Sequence, residues 1–212
     1  MNNFSFNTTS GIRFGSGMSK ICVEEISKKL GPNVLLITDK GLMSLNLTEP
    51  TLTELNKYSS IVEVFQDVEA DPSIKTLLQS IEVGKKINAT GVIGFGGGSS
   101  MDVAKLTSLI LGSNENIEDA WGVSNAKGPR LPLALYPTTS GTGSEVTPIS
   151  IITQDDLEKK GVSSQLILPD LAILDPLLTI GLPPHITAAT GVDAMVHAIE
   201  SYASKSVNSQ NE

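Results

Sequence analysis

The segment Val34-Leu35-Leu36-Ile37-Thr38 is an apolar run of strand length with no polar residue before its end. A strand with one wet face alternates with a period of two. A run without alternation is buried on both faces, as in a parallel sheet with helices above and below it. Asp39-Lys40-Gly41 follows as a strand-to-helix turn, and the strand–helix pattern then recurs. Residues 61–65 read as a strand, and Ile74, Leu77, Leu78 and Ile81 are spaced for one face of a helix. Residues 91–95 read as a strand and 101–111 as a helix. Further strands are expected at 133–136, 149–152 and 172–174. Before the first long run, residues 4–7 and 12–14 suggest a hairpin around Ser10-Gly11. Met18, Ile21, Cys22, Ile26 and Leu30 mark one helical face that ends at Gly31-Pro32.

Strands alternating with helices imply a Rossmann-like α/β fold, a mostly parallel sheet with helices on both faces. This unit is expected over residues 1–180. At Gly181-Leu182-Pro183-Pro184 the character changes. Residues 187–203 read as a helix with no strand after it, and the tail 204–212 is polar, without a C-cap signal. Residues 181–212 are therefore read as the beginning of an all-helical domain.

Composition narrows the function. The 212 residues carry a formal net charge of −8, with no basic patch to follow a phosphate backbone, so nucleic acid is not an expected partner. No apolar run approaches the roughly 18 residues needed to span a bilayer. Residues 1–10 lack the charged and apolar regions of a secretory signal. Cys22 is the only cysteine and has no internal partner for a disulfide, which fits a reducing cytoplasm.

Four segments carry chemistry. Gly94-Phe95-Gly96-Gly97-Gly98-Ser99 joins a buried strand to a helix. Backbone without side chains can approach a phosphate there, and the helix N-terminus offers free N–H groups. The alternative is a tight turn that only needs unusual φ values; three consecutive glycines between strand and helix favour the anion reading. The spacing matches neither the strict dinucleotide fingerprint nor the nucleotide-triphosphatase loop. Pro137-Thr138-Thr139-Ser140-Gly141-Thr142-Gly143-Ser144 is a second small-residue loop after a strand, open to the alternative of a plain helix-capping loop. Open α/β sheets bind ligands at the carboxyl edge of their strands, and both loops fall on that edge. Asp39 ends a strand where a carboxylate can accept from an adenosine ribose; aspartate before glycine is also common in simple turns. Asp193 and His197 are four residues apart and share one helical face. They can grip a divalent cation, or merely pair with each other. The surrounding Ala, Met, Val and Ile lead to the expectation that their helix is largely buried.

Taken in order, these segments resemble the iron-containing alcohol dehydrogenases. The match includes Ser99, Asp102 and Lys105 around the glycine turn, residues 137–147, Asp175-Pro176, and residues 190–202. Glycerol dehydrogenases and dehydroquinate synthases share the architecture but fit these loops less well. The resemblance implies that Asp39 holds the adenosine ribose and that Gly97, Gly98 and Ser99 cradle the pyrophosphate. It implies that Thr138, Thr139 and Thr142 line the rest of the dinucleotide site, with Lys160 and Leu178 as further cofactor contacts. Asp193 and His197 match the first two of four metal ligands; the other two come from a later helical domain in that family. His185 matches no ligand and is read as a helix-entry residue.

The implied activity is hydride transfer between a small alcohol and its aldehyde or ketone. It uses NAD in preference to NADP, with Fe²⁺ as the metal and Zn²⁺ compatible with the same donors. No residue of this chain is assigned to catalysis. The chain on its own is expected to hold mainly the cofactor part and to be a poor catalyst, and a homodimer is an open expectation. The rival readings are a dinucleotide-binding module without turnover and a metal-dependent lyase of the dehydroquinate synthase type.

Overall fold

The structure, a computed structural model, describes residues 7–203. The strand expected at 4–7, except Asn7, and the tail 204–212 lie outside the described residues. The strands are β1 (Ile12–Phe14), β2 (Asn33–Ile37), β3 (Ile61–Phe65), β4 (Gly91–Gly96), β5 (Gly122–Val123), β6 (Leu133–Pro137), β7 (Ile149–Thr153), β8 (Lys159–Ser163) and β9 (Leu171–Leu174). The helices are α1 (Met18–Ile21), α2 (Val23–Leu30), α3 (Lys40–Ser44), α4 (Glu49–Tyr58), α5 (Ile74–Lys86), α6 (Gly98–Ser113), α7 (Ile117–Ala120) and α8 (Pro184–Ala203), with 3₁₀ turns at Ser144–Val146, Gln165–Ile167 and Pro176–Leu178.

Six strands form one sheet in the order β1-β9-β6-β4-β2-β3, and every pairing in it is parallel. The apolar run of β2 is divided between two cores. Leu35 and Ile37 join α5 and α6 on one face, together with Leu133 and Leu135 of β6. Val34 and Leu36 join α2 and α4 on the other, with Ile93, Phe95, Ala134 and Tyr136. The rings of Phe95 and Tyr136 stack there at 5.4 Å. Residues alternate between faces in each strand, and both faces are covered, so the sequence shows no alternation of polarity.

Several local expectations are corrected. Ile12–Phe14 forms no hairpin within the described residues; it adds to the sheet edge in parallel with β9. The helix expected from Met18 to Leu30 breaks at Cys22 into α1 and α2, and Ile21 is 66% exposed. The orientation of α1 is set by hydrogen bonds to Asp175 and not by an apolar face. Residues 149–152 are a strand, but β7 belongs to a second sheet, β5-β8-β7, in which β7 and β8 are antiparallel. Leu78 lies on α5 but is 47% exposed.

Asp175 is buried where β9 ends. Its Oδ1 accepts from the amides of Gly17 and Leu177, both at 3.0 Å. Its Oδ2 accepts from the amide of Ser19 at 3.0 Å and the Ser19 hydroxyl at 2.6 Å. Thr51 of α4 donates to the Ser19 carbonyl at 2.8 Å, so one carboxylate ties β9, α1 and indirectly α4. Burial opposes its ionisation, yet the bonds from Ser19, Gly17 and Leu177 together outweigh burial and hold the carboxyl below the usual aspartate range. A carboxyl held down in the folded state contributes stability above its unfolded pKa and loses it as pH falls through the folded one. Asp175→Asn is expected to cost about 2–4 kcal/mol at neutral pH, the scale of a few hydrogen bonds to a charged group. Part of the acid-induced fall in thermal midpoint should vanish with it. Circular dichroism melts at neutral and acidic pH check both; a variant melting like wild type at neutral pH removes this role.

Candidate functional site

The sheet order creates a switch point. From β2 the chain moves outward to β3, then crosses back to β4 on the other side of β2. The segments leaving β2 and β4 therefore part at their carboxyl ends, where open parallel sheets leave a crevice. Asp39 follows β2, the glycine turn follows β4, and the loop from Thr138 follows β6, the next strand along. Three adjacent strands thus deliver three of the expected segments to one edge.

Asp39 caps α3: its Oδ1 accepts from the Leu42 amide at 2.9 Å. Its Oδ2 has no protein donor among the described residues and is left for another partner. The glycine turn has little room. Gly96 has φ +151°, and a Cβ there would lie 2.7 Å from the Ser100 hydroxyl and 3.2 Å from Leu42 Cδ1. Gly97 is the N-cap of α6 and supplies no side-chain acceptor to the first-turn amides. These amides carry the positive end of a helix of 16 residues. Opposite them stands the loop after β6. A Cβ at Gly97 would come 3.6 Å from Thr139 Oγ1, and a Cβ at Gly98 3.0 Å from Thr142 Cγ2. Thr138 is buried and its amide donates to the Gly96 carbonyl at 3.0 Å. Glycine turn and threonine loop are therefore the two walls of one narrow slot, with Ser99 in the first turn of the helix.

Other expected residues fall elsewhere. Lys160 lies on β8 of the small sheet, its Nζ 4.0 Å from Glu118 Oε2. Leu178 is buried in the core on the α2 side of the sheet. Asp193 and His197 do share a face of α8, with Oδ1 and Nε2 3.6 Å apart, but the expected burial is overturned. Their side chains are 42% and 51% exposed, and α8 buries none of its residues. Gly141 touches Thr190 closely, with 2.7 Å from an added Cβ to the Thr190 carbonyl, and His185 is exposed near the helix start. Among the described residues, no cluster of three or more His, Cys, Asp or Glu comes together. Asp193 and His197 offer a cation two donors, which is too few for a closed site.

A groove of about 790 Å³ opens between β3 and α5, lined by Phe65, Asp67, Ile74 and Leu78 among others. It includes none of the three loops, so the chemistry-bearing edge and the open groove are distinct places. Sequence reasoning assigned no role to Asp102, Lys105 and Ser144. They form one hydrogen-bonded group directly behind the slot, with Lys105 and Ser144 buried and Asp102 half-buried. The signals for it were the match of Asp102 and Lys105 to the family resemblance and their spacing of three on one helix.

The family model for "Iron-containing alcohol dehydrogenase" matches residues 9–176. This chain belongs to the iron-containing alcohol dehydrogenase family. Among curated proteins of the family, it is 37% identical to a sulfoacetaldehyde reductase of Bilophila wadsworthia over 200 residues, covering 94% of this chain and 52% of that protein. Among solved structures, a 1,3-propanediol oxidoreductase superposes with a TM-score of 0.92 at 30% identity, covering 99% of this chain and 55% of the other. A sulfoacetaldehyde reductase from Bifidobacterium kashiwanohense, solved with NAD⁺, gives 0.87 at 31% identity, covering 97% and 55%. The chain spans about half the length of these relatives. No helix among the described residues is long and apolar enough to cross a membrane.

Gly96 is the tightest point of the turn, and its φ lies in the region that disfavours an L side chain. Gly96→Ala is expected to cost about 1–3 kcal/mol of stability from backbone strain. A urea titration measures it, and a variant as stable as wild type means that the turn relaxes freely.

Proposed function

We propose that this chain binds NAD(H) across the switch point and serves an oxidoreductase that interconverts a small alcohol and its aldehyde or ketone by hydride transfer, assisted by a divalent metal. The observation that carries the reading is the slot: uncapped amides at the N-terminus of α6 lie close against a threonine-lined loop, and Gly97 and Gly98 put no side chain of their own over those amides. That cradle fits a pyrophosphate, because backbone N–H groups and the helix dipole both favour an anion there. Asp39, with one carboxylate oxygen free of protein donors, suits the adenosine ribose hydroxyls. Gly97, Gly98 and Ser99 take the phosphates, and Thr138, Thr139 and Thr142 the remainder. Lys160 and Leu178 are proposed as outer contacts. Bound nicotinamide supplies the two-electron acceptor; the chain's part is to bind and orient it.

Asp193 and His197 are proposed as two ligands of the metal site, Fe²⁺ by family and Zn²⁺ by donor chemistry. Alone they do not make a closed site. Their helix belongs to a second unit, proposed as residues 181–212 after the α/β unit of residues 1–180. The exposure of α8 and its two donors favour one alternative for this chain on its own, dinucleotide binding without turnover.

Two measurements test the cofactor reading. Gly98→Val puts branched carbon against Thr142, so the variant should stay folded and bind NAD⁺ about tenfold more weakly, equal to ~1.4 kcal/mol. A folded variant with unchanged affinity places the phosphates elsewhere. A carboxylate beside a 2′-phosphate at roughly 4 Å is repelled by a few kcal/mol at most in a partly screened site. Wild type should therefore prefer NADH over NADPH in fluorescence titrations, and Asp39→Gly should narrow the gap. Equal affinities in wild type remove Asp39 from the ribose.

A further inference from the structure

Lys105 is fully buried on α6. An ammonium in such a place is unfavourable unless its protons find acceptors. Nζ donates to Ser144 Oγ at 2.8 Å, to the Thr147 carbonyl at 3.0 Å and to the Ile149 carbonyl at 2.7 Å. All three acceptors belong to the segment that leaves the threonine loop and enters β7. Asp102, one turn earlier on α6, grips the same segment. Its Oδ1 accepts from the Ser144 hydroxyl at 2.6 Å, its Oδ2 from the Ile151 amide at 3.0 Å, and its carbonyl from the Ser150 hydroxyl at 3.0 Å.

The two charges meet mainly through Ser144, since Nζ and Asp102 Oδ1 are 3.9 Å apart. Burial presses both toward their neutral forms: it raises the Asp102 carboxyl and lowers the Lys105 ammonium to about 8. Apolar residues of similar volume would fill this space without that cost, so what the ions add is placement. The placement leads to the slot. The Ser144 amide donates to Thr142 Oγ1 at 3.2 Å, and Thr142 is the side chain that faces Gly98.

We propose that Lys105 and Asp102 are positioning residues: through Ser144 they hold Thr142 opposite Gly98 and set the width of the slot. The proposal rests on the cofactor reading above. Helix α6 presents its N-terminal amides as one wall and, through these side chains, grips the other, so the two walls are held as one body. On this view neither Lys105 nor Asp102 touches the cofactor.

The test uses Lys105→Met and Ser144→Ala in the 212-residue chain, with NADH and adenosine as probes. Adenosine occupies the Asp39 end, outside the slot. Folded variants should bind adenosine as wild type does and NADH about tenfold more weakly. Wild-type NADH affinity in a folded variant overturns the proposal. So does an equal loss for both probes, which is what a merely structural role predicts. If Lys105→Met does not fold, Ser144→Ala, which removes a single hydroxyl, carries the same expectation. If wild type binds neither probe, the cofactor reading fails, and the amide NMR signals of Gly98, Thr139 and Thr142 decide the clasp without ligand. They should shift in Ser144→Ala; unmoved signals overturn it.

Discussion

The rest of the site depends on how closely α6 lies on the sheet. At Gly94, in the middle of β4, an added Cβ would sit 2.7 Å from Ala104 Cβ on the helix and 2.6 Å from Leu135 Cδ2 on the neighbouring strand. No side chain fits between them. That contact brings the start of α6 directly over the end of β4, so the connection is a single residue, Gly97. A larger residue at 94 would lift the helix, lengthen the turn, and tilt the first-turn amides away from the switch point. The glycine turn is therefore governed from below by packing as much as from above by a ligand.

The same close approach makes the buried lysine possible. Because α6 is wedged into the core, Met101, Val103, Ala104, Leu106 and Leu109 are all buried, and Lys105 has no route to water. Its three acceptors and the three donors to Asp102 come from β7 and the turn before it. This explains why β7 leaves the main sheet. With Ser150 and Ile152 buried and Ile149 and Ile151 exposed, β7 has one dry face, which lies toward α6. It pairs with β8 on its free edge, and the small sheet becomes a bracket for the loop after β6.

Much of this was legible in the sequence because burial leaves a plain record. Val34 to Ile37 had to be covered on both sides, and Asp39, Gly97 and Thr138 were placed by counting from strand ends. What was illegible depended on polar contacts between distant residues. Cys22 gave no warning of a helix break, because the orientation of α1 comes from Asp175, more than 150 residues later. The strand β8, Lys159-Lys160-Gly161-Val162-Ser163, has no apolar pattern and is stabilised by pairing with β7. Asp102 and Lys105 were visible as residues, but an i, i+3 pair on a helix usually means a solvated surface pair. Only the buried positions around them distinguish a clasp.

The helix α8 shows the limit of composition as evidence for burial. Val192, Met195, Val196 and Ile199 read as core residues, yet each is at least 43% exposed. They lie together along one side, and Asp193 and His197 lie roughly 130° further around the helix. An exposed side-chain contact at i, i+4 contributes only about 0.5 kcal/mol at most, too little to hold two side chains in one geometry. The 3.6 Å approach of Asp193 and His197 therefore reflects the helix backbone more than mutual attraction. A metal site built on these two residues needs further donors. An apolar stripe of this length is stably accommodated only against another surface. The two needs fall on different sides of one helix, so a surface that covers the stripe does not by itself reach the two donors.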